Sequence, residues 1–204
     1  MFPINPIITY VVACAIVGGS LRRLIRSLLD NNFSHKMTML TGPLASGKTT
    51  FLRYLSEDEI PEGPSNAPKR YIVKDAFFDV VTDIGGADVW LYQKFDVFIK
   101  EHDYILFFFS VYEFINDIAY RHNCFARLDF INNVLEKERL SGSEEQKIVL
   151  LVGTYIDKVP GFNRSQVESH FAGKPFSGFL QRSVYINTNN KEECLREINN
   201  ALEN

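Results

Sequence analysis

Residues Gly42 to Thr49, GPLASGKT, fit the pattern G-x-x-x-x-G-K-[ST], and they stand between two apolar segments of different character. Met37-Thr38-Met39-Leu40 reads as a strand, and Thr50-Phe51-Leu52-Arg53-Tyr54-Leu55 as the first turns of a helix. That order commits the chain to a strand–loop–helix unit. Glycines let such a loop fold tightly, and the helix behind it presents its positive end. Gly42, Pro43, Leu44, Ala45, Ser46 and Gly47, with Lys48, Thr49 and Thr50 behind them, are the expected phosphate cradle. Lys48 is the candidate catalytic cation, reaching the β- and γ-phosphates, and the Thr49 hydroxyl is the candidate Mg²⁺ ligand. The loop predicts a nucleoside triphosphate as ligand.

The 204 residues suit one α/β domain plus an appendage, and 46% hydrophobic residues are enough to fill its core. A net charge of −3 gives no support for binding nucleic acid through its backbone. Cys14, Cys124 and Cys194 are too widely spaced for a metal-binding pattern and fit free thiols in a reducing compartment.

The appendage is N-terminal. Met1 to Leu21 contains no charged side chain, Ile7 to Val17 is apolar apart from Thr9, and Arg22, Arg23 and Arg26 come next. An apolar stretch near the short end of the spanning range, with its positive charge behind it, predicts an apolar helix over 1–29. Residues 4–29 are then a membrane anchor that leaves the nucleotide-binding domain in the cytoplasm. A helix packed on the domain or on a partner is the competing reading. A membrane-surface helix is the third, since Leu21, Leu24, Ile25, Leu28 and Leu29 line up beside three arginines. Residues 30–35 (DNNFSH) are a polar linker, and 36–204 the domain.

Within the domain, Glu57 to Lys69 is rich in Pro, Glu, Gly and Ser and reads as a loop. Tyr71-Ile72-Val73 and Phe77 to Thr82 read as a strand pair. YILFFFS (104–110) and KIVLLVG (147–153) are nearly continuous apolar runs, the pattern of strands buried on both faces. SVYIN (183–187) is a last short strand. Helical spacing joins Leu91, Phe95, Phe98 and Ile99, then Phe125, Leu128, Ile131 and Leu135, and finally Cys194, Leu195, Ile198 and Leu202. The segment between Ser110 and Lys147 is longer than one helix needs, so it holds two helices or one with an ordered lead-in. Ser165 and Glu168 carry a capping-box signature for a helix through Phe171. His102 and His122 read as surface or helix-end residues. Strands alternating with helices predict a doubly wound, mostly parallel α/β sheet with helices on both faces.

Two further motifs refine the ligand. The apolar strand ending Val80-Val81-Thr82-Asp83 leads into Ile84-Gly85-Gly86. Asp83 is placed to hold Mg²⁺ beside Thr49, and the Gly86 N–H to bond a γ-phosphate. The buried run ending in Gly153 continues Thr154-Tyr155-Ile156-Asp157. That sets a carboxylate just past the end of a buried strand.

With these three motifs in this order, residues 36–204 resemble the Ras-superfamily small GTPases. DIGG is closest to the Arf-like branch, and an N-terminal apolar segment ahead of such a domain is similar in architecture to the beta subunit of the signal recognition particle receptor. The resemblance implies a P-loop GTPase-like fold, GTP/GDP and Mg²⁺ as cofactors, and a protein effector or activating partner. It implies that Asp157 pairs with the guanine N1 and N2 donors, that Tyr155 covers the base where the family has Lys, and that Thr188 and Asn189 stand in the family's second base-binding loop. It also marks departures. Ala87 comes after DIGG where hydrolytic members carry the Gln that orients water, and Ser65 is the nearest hydroxyl to the family's first-switch Mg²⁺ ligand. The expectation is a membrane-anchored GTP-binding switch with slow intrinsic hydrolysis. A scaffold subunit holding GTP as a structural cofactor, and an ATP-dependent protein in which Asp157 is only structural, are the alternatives.

Overall fold

The computed structural model describes residues 37–56, 60, 68–73, 78–85, 95–142 and 147–203. The expected N-terminal helix, Ser65, Gly86, Ala87 and Leu91 lie outside them. Among the described residues, no helix is long and apolar enough to cross a membrane.

Six strands form one sheet: β1 (Met37–Thr41), β2 (Lys69–Ile72), β3 (Val80–Asp83), β4 (Tyr104–Ser110), β5 (Ile148–Thr154) and β6 (Ser183–Tyr185). Their spatial order is β2-β3-β1-β4-β5-β6. Every neighbouring pair is parallel except β2–β3, which is antiparallel. The helices are α1 (Lys48–Leu55), α2 (Phe95–Glu101), α3 (Val111–Asn116), α4 (Ile118–Leu140), α5 (Ser165–Glu168) and α6 (Lys191–Glu203).

The continuous apolar runs become the two central strands for a simple reason. Side chains alternate across a strand, so a strand covered on both faces must be apolar at every position. Ile105, Phe107 and Phe109 of β4 enter one core with Phe95 and Ile99 of α2, Phe114 of α3 and Leu128 and Ile131 of α4. Tyr104, Leu106 and Phe108 enter the other with Phe51 and Leu52 of α1 and Cys194 and Ile198 of α6. Helices therefore cover both faces.

The long segment after β4 does hold two helices. Ser110 caps α3 by accepting from Glu113 N at 3.2 Å, and Asp117 ends α3 and caps α4 by accepting from Ala119 N and Tyr120 N.

Two sequence readings need correction. Ser165 does not cap its helix. Asn163 does, accepting from Ser165 N at 3.1 Å, while Gln166 Oε1 accepts from Asn163 N at 2.9 Å. The capping box is genuine but begins two residues earlier, because Asn competes with Ser for that position.

His102 comes directly after α2, as a helix-end residue should, yet it is 0% exposed. Its Nδ1 lies 2.7 Å from Phe98 O and its Nε2 2.7 Å from Thr82 Oγ1. A carbonyl only accepts, so Nδ1 carries the proton and the neutral ring's Nε2 accepts from the Thr82 hydroxyl. Burial pushes its pKa below the ordinary value and Arg70 pushes the same way, against the Phe98 carbonyl bond and the charges of Glu101 and Asp103. The unfolded chain therefore takes up the proton first as pH falls. The contribution of His102 to stability should be complete above about pH 6.5 and decline as pH drops below it. Comparing thermal melts of wild type and His102→Gln between pH 7.5 and 5 checks this, and a pH-independent difference would count against it.

Candidate functional site

Parallel strands all end at one edge of a sheet, and the crevice outside their carboxyl ends is where loops can meet. Here β1 runs into Gly42–Thr49, β3 ends at Asp83, β5 runs into Thr154–Asp157, and β6 leads to Thr188 and Asn189. The registers bring these ends level. Leu40 pairs with Asp83, Ser110 with Thr154, and Gly153 with Tyr185.

The 42–49 loop is wrapped tightly by three residues with positive φ: Gly42 (134°), Ala45 (56°) and Gly47 (87°). A Cβ on Gly42 would sit 2.0 Å from the Phe108 carbonyl oxygen, so the loop leaves β1 against the backbone of β4. Gly47 begins α1 with no side-chain cap, leaving the helix's first N–H groups free of a competing side-chain oxygen. Lys48 is only 7% exposed because its stem turns back along this loop. Its ammonium donates to Gly42 O at 2.9 Å, Pro43 O at 2.8 Å and Ser46 Oγ at 2.9 Å. Burial is the main reason its pKa falls to about 8, partly opposed by the Asp83 carboxylate and reinforced by the Arg127 charge. Leu44, by contrast, is 51% exposed at the loop tip.

Asp83 is buried, and burial raises its pKa despite the attraction of Lys48 and Lys69. Among the described residues, its Oδ1 has no hydrogen-bond partner. A buried carboxylate oxygen without a donor is costly unless something cationic meets it. The Ile84 N–H, which donates to Leu40 O at 2.9 Å, fixes this strand end against β1.

The second half of the site is tied to the first. The Thr154 hydroxyl lies 3.1 Å from both Ser46 O and Phe109 O, and its methyl packs where a Cβ on Gly47 would come within 3.1 Å. Thr154 thus buttresses the 42–49 loop. Tyr155 is next in the chain and lies in the left-handed region, φ 57°, which turns the backbone into the short 3₁₀ segment Ile156–Lys158. The Lys158 ammonium stands 4.3 Å from the Tyr155 ring centroid. Asn189 Nδ2 donates to Asp157 Oδ2 at 3.3 Å, and Asn187 Oδ1 holds the Asn189 N–H at 2.9 Å. Thr188 is buried, and its carbonyl accepts from the Tyr54 hydroxyl of α1.

The residues singled out from sequence therefore converge, as far as they are described. Gly42–Thr50, Asp83, Thr154, Tyr155, Asp157, Thr188 and Asn189 lie along one edge of the sheet. Among the described residues, no group of three or more His, Cys, Asp or Glu gathers for a metal. Sequence reasoning missed Tyr54, which looked like an ordinary helix residue, and Arg127, which sits at an apolar-stripe position of α4 and is 1% exposed. The only signal for Arg127 was its spacing between Cys124 and Ile131. No protein-family model matches the chain, and no curated protein matches it in sequence.

Proposed function

We propose that this chain is a guanine-nucleotide-binding protein of the small-GTPase type, a membrane-anchored switch that hydrolyses GTP slowly on its own. The observation that carries the reading is a convergence of three elements. A Gly-rich loop opening a helix, a buried carboxylate and an exposed carboxylate on a second loop all meet at the carboxyl edge of one parallel sheet. The strand order, with one antiparallel strand at the β2 edge, supports a P-loop GTPase-like fold.

The 42–49 loop and Lys48 hold the phosphates, and Lys48 exchanges its Ser46 contact for phosphate oxygen. Asp157 and Asn189 face the base edge, and Tyr155 offers a ring for stacking whose other face is covered by Lys158. The residues fit Mg²⁺: Thr49 offers a hydroxyl, and Asp83 offers a hard carboxylate oxygen that no donor among the described residues meets. When bound, the ion supplies charge neutralisation at the phosphates. Ala87, in the place of a water-orienting Gln, supports slow turnover and also favours the second reading, a subunit that holds GTP as a structural cofactor. The anchor rests on residues 4–29, and the protein partner on the family likeness.

Competition binding and single-turnover hydrolysis on one purified sample test this. The expected result is displacement of labelled GTP by GDP but not by ATP, with hydrolysis taking many minutes or longer. Equal affinity for ATP and GTP would sink the guanine reading, and rapid unassisted hydrolysis would sink slow turnover. A bound GTP that neither exchanges nor turns over within hours would favour the structural-cofactor reading.

A further inference from the structure

Tyr54 lies on α1 six residues past Lys48, about 9 Å farther along the helix axis. Its hydroxyl donates to the Thr188 carbonyl, 134 positions away in the chain. One helix therefore carries the phosphate-loop lysine at its first turn and a bond to the loop after β6 at its last. The Tyr54 ring packs on the core that holds Ile186 and Cys194, which flank that loop.

The loop needs such a tie. β6 is three residues long and pairs with β5 at the edge of the sheet. Among the described residues its ladder ends where Ile186 N donates to Gly153 O at 2.8 Å. Beyond it, Asn187 Oδ1 accepts from Asn189 N at 2.9 Å, a turn closed within the loop itself. Such a turn fixes its own shape but not its place on the domain. Thr188, its middle residue, is buried, and the Tyr54 bond holds its carbonyl against α1. Asn189 is exposed, and its amide donates to the exposed Asp157 carboxylate at 3.3 Å, long for a hydrogen bond. A long bond between two solvated side chains is too weak to place the loop by itself.

We propose that Tyr54 is a positioning residue for base recognition: its hydroxyl sets Thr188 so that Asn189 holds Asp157 ready for a purine 2-amino group. The proposal rests on the guanine-nucleotide reading of the site. Its physical content is a difference between two ligands. Loosening the loop weakens the bond that the 2-amino group makes, and a purine lacking that group has no such bond to lose. The phosphate contacts lie at the other end of α1 and are common to both.

The test measures affinities of Mg²⁺-loaded GTP and inosine triphosphate, which lacks only the 2-amino group, for the full chain throughout. The proteins are wild type, Tyr54→Phe, Asn189→Ala and the double variant. Wild type should prefer GTP. Tyr54→Phe keeps the ring and should lower the GTP-to-inosine-triphosphate ratio about fivefold, the size of one hydrogen bond. Asn189→Ala should lower the ratio as far, and the double variant no further, because both changes act through one carboxylate. An unchanged ratio in Tyr54→Phe, even with both affinities reduced, overturns the proposal and leaves guanine binding standing. Additive losses in the double variant overturn the route through Asn189. A wild type that binds neither nucleotide, or both alike, removes the guanine reading and the proposal with it. Should Tyr54→Phe not fold, Asn189→Ala decides: a lowered ratio supports the proposal, and an unchanged one overturns it.

Discussion

Gly42→Ala should cost about 3 kcal/mol or more of folding stability, the sum of a backbone conformation foreign to an L-residue and a forced clash. Gly42 has φ 134°, and the added Cβ would meet Phe108 O at 2.0 Å. That oxygen belongs to the backbone of β4, a central strand paired on both sides, so it cannot move aside as a flexible side chain would. The loop must move instead, and with it the Gly42 and Pro43 carbonyls that hold Lys48. The melting temperature should fall by roughly 10 °C for a chain of this size. Gly178→Ala is the control: among the described residues an added Cβ there meets nothing within 4 Å, so its melt should match wild type. Near-identical melts for Gly42→Ala and wild type would show that the loop leaves β1 by a different route.

Asp157→Asn should change what the site binds rather than whether the chain folds. Asp157 is exposed, and its one described side-chain bond, from Asn189 Nδ2, can equally be accepted by an amide oxygen. Stability should therefore stay within about 0.5 kcal/mol of wild type. On the guanine reading, a carboxylate that would accept two bonds from the base is replaced by a group that accepts at one end and donates at the other. GTP affinity should fall by roughly 10²–10⁴, the range for losing two charge-assisted bonds. Xanthosine triphosphate, with a carbonyl where guanine has its amino group, should bind the variant better than GTP. Titrating both nucleotides against both proteins checks this. An unchanged GTP affinity would mean that Asp157 only braces the loop after β5 against Asn189.

Much of this molecule was legible because its informative features are local. The β4 and β5 runs declare strands covered on both faces. Thr154–Asp157 marks a strand end, and GPLASGKT demands a strand before it and a helix after it. The misreadings arose where a residue's environment comes from afar. His102 looks like a polar helix terminus, and only the fold reveals that it is enclosed between Phe98 O and Thr82 of β3. Arg127 looks like a polar interruption in an apolar stripe. Its burial depends on how α4 lies on the sheet, and no spacing rule carries that information. The Asn163–Gln166 cap was equally local, but the more familiar Ser–Glu spelling two residues on competed with it.

The chain's sequence alone determined the strand–loop–helix unit at residues 37–55, because the Gly spacing, the Lys-Thr pair and the change of apolar period act over a dozen residues. It could not determine that the Thr154 hydroxyl supports Ser46 or that Asn189 reaches Asp157. Those contacts join residues up to 108 positions apart. They exist because parallel pairing sets the carboxyl ends of β1, β3, β5 and β6 side by side, so that the loop first recognised by its spelling becomes one wall of a site that only the sheet assembles.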